Sequence, residues 1–519
     1  DRRQRQMCIR DRPRLYIGGL NMLTLTQIQQ ILEQENLLRE FITPTRWTLT
    51  APFDKSFKKI SYDSRDVDAE TLFFCKGNNF QQCFLEQALA DGLTCYIAEQ
   101  PYEVSAELAI IVTDIRKALA VLSMAFYDYP QEKLHLVGIT GTKGKTTVAY
   151  FTKKILDITT NKKTALLSTL NTTLDGVTFF KSKLTTPESL DLYRMMAEAV
   201  ANGMTHLVME VSSQAYKVAR VYGLTFDVGI FLNISPDHIG PIEHPTFEDY
   251  FYCKRQLVAN SRQVILQHEI DHFDLLLELA EKQNISVITY GNKQADYHVQ
   301  PAEHPLSFEL TGRENTFGLN GNYSILLAGD FNKENAAAAL LASALVGADQ
   351  AAGHQGLAEA LVPGRMNLLI KPNGAHIYVD YAHNYLSMKS LLAFAKEQHP
   401  DGELLVITGS TGNKAESRRE GLGQAIGEYA DVAILTSDDP NFEDPKKIAD
   451  EIKESIQNDH VRVHFEIDRK KAIKDAIQQA GPNDAIILAG KGTDKYMTVN
   501  GEDLPYEGDY HLAEEFIKD

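Results

Sequence analysis

The octapeptide Thr140-Gly141-Thr142-Lys143-Gly144-Lys145-Thr146-Thr147 narrows the possible folds and functions more than any other segment. An apolar run, residues 134–139, precedes it and a helical pattern follows. It therefore reads as a glycine-rich turn between a buried strand and a helix. In that setting backbone N–H groups surround phosphate oxygens, the lysine neutralises them and a hydroxyl ligates magnesium. The strict phosphate-loop spacing puts a glycine six residues before the lysine. Ile139 holds that position here, and Gly138 falls one residue too early. The plain alternative is a strand–helix turn without a ligand. The Gly-Lys-Thr-Thr run favours a nucleotide, although what the nucleotide is used for does not follow from the loop.

The 519 residues are too many for one core and, at ~150 residues per domain, imply about three domains. Strand-like apolar runs at 206–211, 228–233 and 264–267 alternate with helical stretches. The pattern recurs at 377–381, 404–409, 432–436 and 486–490, with helices expected at 385–398 and 446–457. Continuous apolar strands alternating with helices indicate doubly wound parallel sheets. The expected fold class is α/β with three domains. These are an N-terminal α/β domain over residues 22–130, a central phosphate-loop ATPase-type parallel-sheet domain over 131–361, and a Rossmann-like C-terminal domain over 362–519. Residues 336–345 read as a buried helix. Residues 1–21, with six arginines in the first 14 positions, read as a leader foreign to the fold or disordered; a basic targeting arm is the alternative.

Net charge is −18, which argues against a general nucleic-acid binder. No apolar run reaches the ~18–20 residues of a membrane span. The five cysteines lack metal-ligand spacing, and an odd number argues against a disulfide framework. The expectation is a protein of a reducing compartment that meets neither nucleic acid nor membrane.

Further motifs follow the loop in order: Met209-Glu210-Val211-Ser212-Ser213-Gln214, Asn233-Ile234-Ser235-Pro236-Asp237-His238, Asp249-Tyr250-Phe251 with Lys254, Asn332-Lys333-Glu334-Asn335, Pro363-Gly364-Arg365, and Asp380-Tyr381-Ala382-His383. This ordered set resembles the Mur ligases, which make amide bonds using ATP, and more distantly the folylpolyglutamate synthetases. Tyr62-Asp63-Ser64-Arg65, Thr185-Thr186-Pro187-Glu188 and Gly490-Lys491-Gly492 are most similar to the branch that adds the third residue of the peptidoglycan stem peptide. The resemblance implies that ATP phosphorylates the D-Glu carboxylate of UDP-N-acetylmuramoyl-L-Ala-D-Glu. An amino-acid amine then attacks the acyl phosphate. The resemblance also implies a monomer of the bacterial cytoplasm. Two rivals stay open at this stage: a folylpolyglutamate synthetase-like ligase, and an ATP-driven binding switch.

Roles follow from what that reaction needs. Two anionic partners must be brought together, so divalent cations and Lys/Arg clamps are expected. Lys145, Lys254, His238 and Glu210 are the catalytic candidates. Thr146, Glu210, His238 and Lys254 are the candidates for Mg²⁺. The resemblance makes Lys254 a carbamylated lysine; on the residues alone it is an exposed helical lysine beside Arg255. ATP would contact Thr140, Gly141, Thr142, Lys143, Gly144, Lys145, Thr146 and Thr147, with Asn332 and Asn335 on the adenine, Asp380 on the ribose and Arg365 reaching the γ-phosphate. Asn332 as a helix cap and Arg365 as an interdomain salt bridge are the alternatives. By the resemblance, Ser64, Thr185, Thr186, Ser212 and Arg220 would bind the UDP-linked dipeptide, although isolated Ser and Thr are normally caps or turn formers.

The chain departs from the family pattern in four places. Met366-Asn367 follow the hinge where a Glu is frequent, and Asn384-Tyr385 replace a Thr-Pro. Lys414 stands where an arginine is common, and Ser437-Asp438-Asp439-Pro440-Asn441 replaces Asp-Asn-Pro-Arg. The last two bear on the acceptor. A second carboxylate, as in meso-diaminopimelate, calls for a guanidinium, and Asn441 cannot supply one. Asp438, Asp439, Glu443, Asp444 and Asp494 form an acidic cluster expected to attract the ε-ammonium of L-lysine. Ornithine is the runner-up, and a solvated turn at residues 439–441 is the plain alternative. Lys414, Asp438, Asp439, Pro440, Asn441 and Asp494 are therefore the acceptor-binding candidates.

Overall fold

A computed structural model describes residues 22–77, 80–236, 239–240, 243–304, 306–327, 329–362, 365–413 and 417–518. The leader and the sequence-stated roles of His238 and Lys414 fall outside these residues, as does the Pro363–Gly364 hinge. The chain divides into two compact units. One comprises residues up to 299 with 311–320 and 337–356; the other comprises 300–310, 321–336 and 357 onward.

The first unit opens with the helix Leu25–Gln34. The periodic run starting at Met22 becomes helical only after Thr24, whose side chain accepts from the Gln27 amide while Gln27 reaches back to the Thr24 amide. The N-terminal sheet runs Trp47–Thr48, Leu38–Ile42, Leu108–Val112, Cys95–Ala98, Thr71–Phe74, Lys59–Ser61, and its last four strands are parallel. The helix Ile115–Phe126 is buried along nearly its whole length, with Asp114 capping its first turn. Its side chains and those of Ser189–Ala201 belong to one apolar cluster that extends to Leu136 and Met209 of the next sheet. Residues of both expected blocks, 22–130 and 131–361, thus contribute to this cluster.

Nine neighbouring strands of that second sheet run Phe180–Lys181, Asn171–Thr173, Thr164–Leu167, His206–Glu210, His135–Thr140, Phe226–Phe231, Ser261–Gln267, Ser286–Gly291, Tyr297–Pro301. The strands from Thr164–Leu167 through Ser286–Gly291 are parallel. His135–Thr140 lies centrally, and the chain order runs away from it in both directions. Its carboxyl end is therefore a topological switch point, where α/β sheets open a crevice for ligands. Gly138 sits inside this strand, where a Cβ would meet the Phe226 ring at 2.6 Å. Its role is close packing, and it takes no part in the phosphate turn.

In the second unit the sheet order is Asn367–Ile370, His376–Asp380, Ala485–Ala489, Leu404–Thr408, Val432–Leu435, Arg462–Phe465, parallel except for the first pair. The edge strands 367–370 and 462–465 were not legible in the sequence, the first because it is a short run of four residues next to the hinge and the second because it is largely exposed. The expected helix at 385–398 is present. The one expected at 446–457 spans Pro445–Glu454, because Asp444 caps the turn that Pro445 starts and Ser455 ends it. The alanine-rich helix Asp330–Leu345 is buried from Ala336 to Ala342, as expected. Cys75, Cys83, Cys95 and Cys253 are free thiols. No helix among the described residues is long and apolar enough to cross a membrane.

Candidate active site

The turn after His135–Thr140 does what its residue types suggest. Gly144 has φ +85°, a conformation costly for any side chain, and the helix Lys145–Thr160 starts directly after it. The loop is tied down from one side. Thr140 Oγ1 donates to the Val211 carbonyl at 2.8 Å, and the Lys143 amide donates to Asn233 Oδ1 at 2.9 Å. Thr142 Oγ1 donates to the Ser235 carbonyl at 3.2 Å and lies 3.0 Å from the Tyr250 hydroxyl. Lys145 folds back over the loop, its Nζ donating to the carbonyls of Gly141 at 2.8 Å and Thr142 at 3.2 Å. Thr146 and Thr147 are buried at the helix start, whereas Lys143 is exposed.

Glu210, at the end of the adjacent strand, is fully buried. Its Oε1 accepts from Thr146 Oγ1 and from the Thr169 amide, each at 2.8 Å. Its Oε2 accepts from Thr169 Oγ1 at 2.9 Å. Thr169 had no recognisable signal in the sequence. The oxygen donors of Thr146 and Glu210, side by side at the head of a phosphate loop, fit a hard divalent cation such as Mg²⁺.

Lys254 corrects the plain sequence reading. It is 2% exposed. From the helix Phe247–Lys254 its Nζ donates to the Gly141 carbonyl at 2.8 Å and lies 4.8 Å from the Tyr250 ring centroid. Arg255 points instead at the Phe251 and Tyr252 rings. A further set went unnoticed in the sequence. His244, fully buried, meets Asp249 Oδ2 through Nδ1 at 2.7 Å and Ser213 Oγ through Nε2 at 2.9 Å. Lys217 pairs with the same Asp249 at 2.7 Å and, with His244, holds that carboxyl below its usual range. This links the loop after Glu210 to the helix that carries Lys254. Cys253 lies within 4.8 Å of the pair, so the three side chains are close enough to hold a metal ion.

The dipeptide candidates gather at the same strand end. Thr186 Oγ1 donates to the Glu210 carbonyl at 2.9 Å and accepts from the Ser212 amide at 3.0 Å; Thr185 Oγ1 lies 3.1 Å from Thr169 Oγ1. Ser212 caps the helix Ser213–Lys217. Arg220 reaches Glu188 through Nε at 2.7 Å and the Thr186 carbonyl through Nη1 at 3.4 Å. Ser64 is partly exposed, in the turn after Lys59–Ser61. Its neighbour Arg65 is engaged by Asp63, whose carboxyl it holds down at about 2.

In the second unit Asn332 and Asn335 are buried and joined, Nδ2 of Asn335 donating to Oδ1 of Asn332 at 3.2 Å. Asn332 lies inside Asp330–Leu345, so it is not that helix's cap. Asp380 accepts from the Ala382 and Met366 amides, both at 2.8 Å; burial nonetheless raises its carboxyl above the usual range.

Several residues of the expected acidic cluster have cationic or capping partners within the fold. Lys491, 1% exposed, pairs with Asp439 at 2.9 Å and Asp494 at 3.7 Å. Glu443 and Glu451 both bind Arg419. Asp444 caps a helix, and Asp438 is so fully buried that its carboxyl is pushed up to about 6 despite Arg469 and Lys491 nearby. Asn441, at φ +52°, accepts the Gly501 amide on Oδ1 at 2.9 Å. Like-charged residues close in sequence were answered by cations that only the fold brings near.

Two family comparisons match the chain. Residues 139–343 match the Mur ligase middle domain, and residues 364–492 match the Mur ligase glutamate ligase domain. The UDP-N-acetylmuramoyl-L-alanyl-D-glutamate–L-lysine ligase of Enterococcus faecalis is 59% identical, covering 95% of this chain and 99% of its own. The UDP-N-acetylmuramyl-tripeptide synthetase of Lactococcus lactis is 49% identical, covering 96% and 100%. Among solved structures, a UDP-N-acetylmuramoyl-L-alanyl-D-glutamate–2,6-diaminopimelate ligase aligns with TM-score 0.66 at 26% identity, over 89% of this chain and 95% of that one. The folylpolyglutamate synthase of Thermotoga maritima aligns with TM-score 0.56 at 18% identity, covering 78% and 93%, a likeness of fold alone.

Proposed function

The chain belongs to the Mur ligase family, ATP-dependent ligases that join an acid to an amino acid, and on that premise we propose that it adds L-lysine to the D-glutamyl carboxylate of UDP-N-acetylmuramoyl-L-alanyl-D-glutamate. The observation that carries the reading is the Thr146–Glu210 contact, which joins the phosphate loop to the strand end where Thr185, Thr186 and Ser212 gather.

In this reading the amides of residues 141–147 and Lys145 hold the ATP phosphates, and Arg365 meets the γ-phosphate. Asn332 and Asn335 hold the adenine and Asp380 the ribose. Thr146 and Glu210 would hold Mg²⁺, with His238 and a carbamylated Lys254 as further ligands; when bound, the ion offsets the charge of triphosphate and carboxylate. Ser64, Thr185, Thr186, Ser212 and Arg220 hold the UDP-linked dipeptide so that its carboxylate oxygen faces the γ-phosphate in line. The acyl phosphate formed is attacked by the α-amine of lysine, and phosphate leaves from the tetrahedral intermediate. Lys414 and the segment Asp438, Asp439, Pro440, Asn441, with Asp494, form the acceptor site. The domain boundaries belonging to this reading are 130/131 and 361/362.

Acceptor choice rests on Asn441 more than on raw negative charge. Its neutral amide is committed to Gly501 and offers no guanidinium to a second carboxylate. Asp439 and Asp494 together outweigh Lys491 by one negative charge, which suits an ε-ammonium. The test is phosphate release with L-lysine, ornithine and meso-diaminopimelate at fixed ATP and UDP-dipeptide. Release should require both UDP-dipeptide and amino acid, with the highest kcat/KM for L-lysine. A preference for diaminopimelate overturns the acceptor assignment, and release without either co-substrate overturns the ligase reading.

A further inference from the structure

Two cations share one carboxylate where the N-terminal sheet meets the start of the helix Ser189–Ala201. Glu188, the residue before that helix, accepts from Arg220 Nε on Oε1 and from Lys76 Nζ on Oε2. Lys76 comes from the loop after Thr71–Phe74. Its side chain is 9% exposed, and those of Glu188 and Arg220 are 17% exposed. Burial alone would raise the Glu188 carboxyl, but the hydrogen bonds and charges of Lys76 and Arg220 more than offset it and hold it below the ordinary range. Lys76 Nζ also lies 4.4 Å from the centroid of the Tyr62 ring, whose hydroxyl donates to Asp191 at 2.5 Å. Asp191 is engaged by the Tyr62 hydroxyl and by Arg194, which it shares with Glu198, and neither Lys76 nor Arg220 pairs with it. The trio of Lys76, Glu188 and Arg220 therefore carries one cation more than its carboxylate neutralises.

A surplus cation withdrawn from water is costly unless an anion completes it. A purely structural bridge here would need one cation, not two. The surplus is also well placed. Arg220 touches the Thr186 carbonyl, and Thr186 binds the Ser212 amide, so the trio adjoins the hydroxyls assigned to the dipeptide substrate. Lys76 had no signal in the sequence, since a single lysine in a loop is ordinarily solvated.

We propose that Lys76 is a substrate-binding residue, forming with Arg220 a two-cation clamp for an anionic group of the UDP-linked dipeptide, with Glu188 as the resting counter-ion whose charge competes with that group. This rests on the function proposed above and deepens it. The anion is a carboxylate of the dipeptide or a phosphate of the UDP; both present paired oxygens that suit a guanidinium and an ammonium.

The test is isothermal titration of the full chain with UDP-N-acetylmuramoyl-L-Ala-D-Glu, with UDP-N-acetylmuramic acid lacking the dipeptide, and with ATP. Lys76→Met should weaken UDP-dipeptide binding ten- to a hundredfold while the Kd for ATP stays within twofold, and Lys76→Arg should recover most of the loss. Glu188→Gln should bind UDP-dipeptide at least as tightly as wild type, since it frees the cations; a merely structural trio would lose affinity with it. A loss in Lys76→Met that vanishes for the ligand lacking the dipeptide assigns the carboxylate, and one that persists assigns the phosphate. Unchanged UDP-dipeptide binding by Lys76→Met, or equal loss of ATP binding, overturns the clamp. If Lys76→Met does not fold, a tenfold loss in Glu188→Gln overturns it. Wild-type protein that neither binds nor ligates the UDP-dipeptide overturns the functional reading itself, a different outcome from a wild type that ligates without using Lys76.

Discussion

Glu210 is where stability and chemistry can be separated by experiment. It is fully buried and accepts three hydrogen bonds, from the Thr169 amide and from the hydroxyls of Thr146 and Thr169. Glu210→Ala strands the amide, at about 1–3 kcal/mol, and loses two hydroxyl contacts worth about 1 kcal/mol each. Removing a buried carboxylate also removes its desolvation cost, so the net loss should be about 3 kcal/mol. Glu210→Gln keeps the geometry. Its carbonyl can serve Thr146 and the Thr169 amide, and its NH2 can donate to Thr169 Oγ1 after that hydroxyl turns. Only the charge assistance is lost, about 1 kcal/mol. Activity should not follow this split. If the carboxylate acts through charge near the phosphates, both variants lose about 10²–10³-fold in kcat, because a neutral amide is a poor substitute. Urea unfolding of the first unit and phosphate release with all substrates present measure the two quantities. Near-wild-type turnover by Glu210→Gln would refute the charge role, and activity losses that track the stability losses would reduce Glu210 to a structural acceptor.

Three other outcomes follow from particular residues. Lys254→Ala should be inactive and partly rescued by acetate if a carbamylated side chain bridges metal; full activity without additive would leave the lysine as a packing residue over Tyr250 and the loop. Gly138→Ala should lower stability by about 1–3 kcal/mol, because its Cβ would meet the Phe226 ring at 2.6 Å; a loss of ATP affinity in a protein of unchanged stability would place Gly138 in the phosphate turn after all. Asp438, buried and raised from 3.8 to about 6, favours its protonated form in the folded state. Stability should therefore fall as pH rises from about 4 to about 6, by about 3 kcal/mol in all. Asp438→Asn should remove that dependence and stabilise the second unit above pH 6, read as Tm across pH 4–8; a stability gain equal at pH 4 and pH 8 would contradict the assignment.

The sequence by itself determined the parts whose cause is local. The turn at 140–147 needs a glycine at positive φ and a lysine four residues after Gly141, and both are visible as letters. The buried strands 135–140, 206–210, 226–231 and 404–408 announce themselves because a strand covered on both faces must be apolar throughout. The ordered motifs carried the family. Tertiary structure decided what depends on residues far apart in the chain. Thr169 meets Glu210 across 41 positions, Lys76 meets Glu188 across 112, and Lys491 meets Asp439 across 52. No periodicity encodes such pairs. It was the fold that packed the helix Ile115–Phe126 into one cluster with Leu136 and Met209, turned Lys254 inward and gave the acidic run at 438–444 its internal cations. A side chain's charge is written in the sequence, but the charge it faces is set by packing, because what cancels or frees it is whatever the folded chain places within a few ångströms.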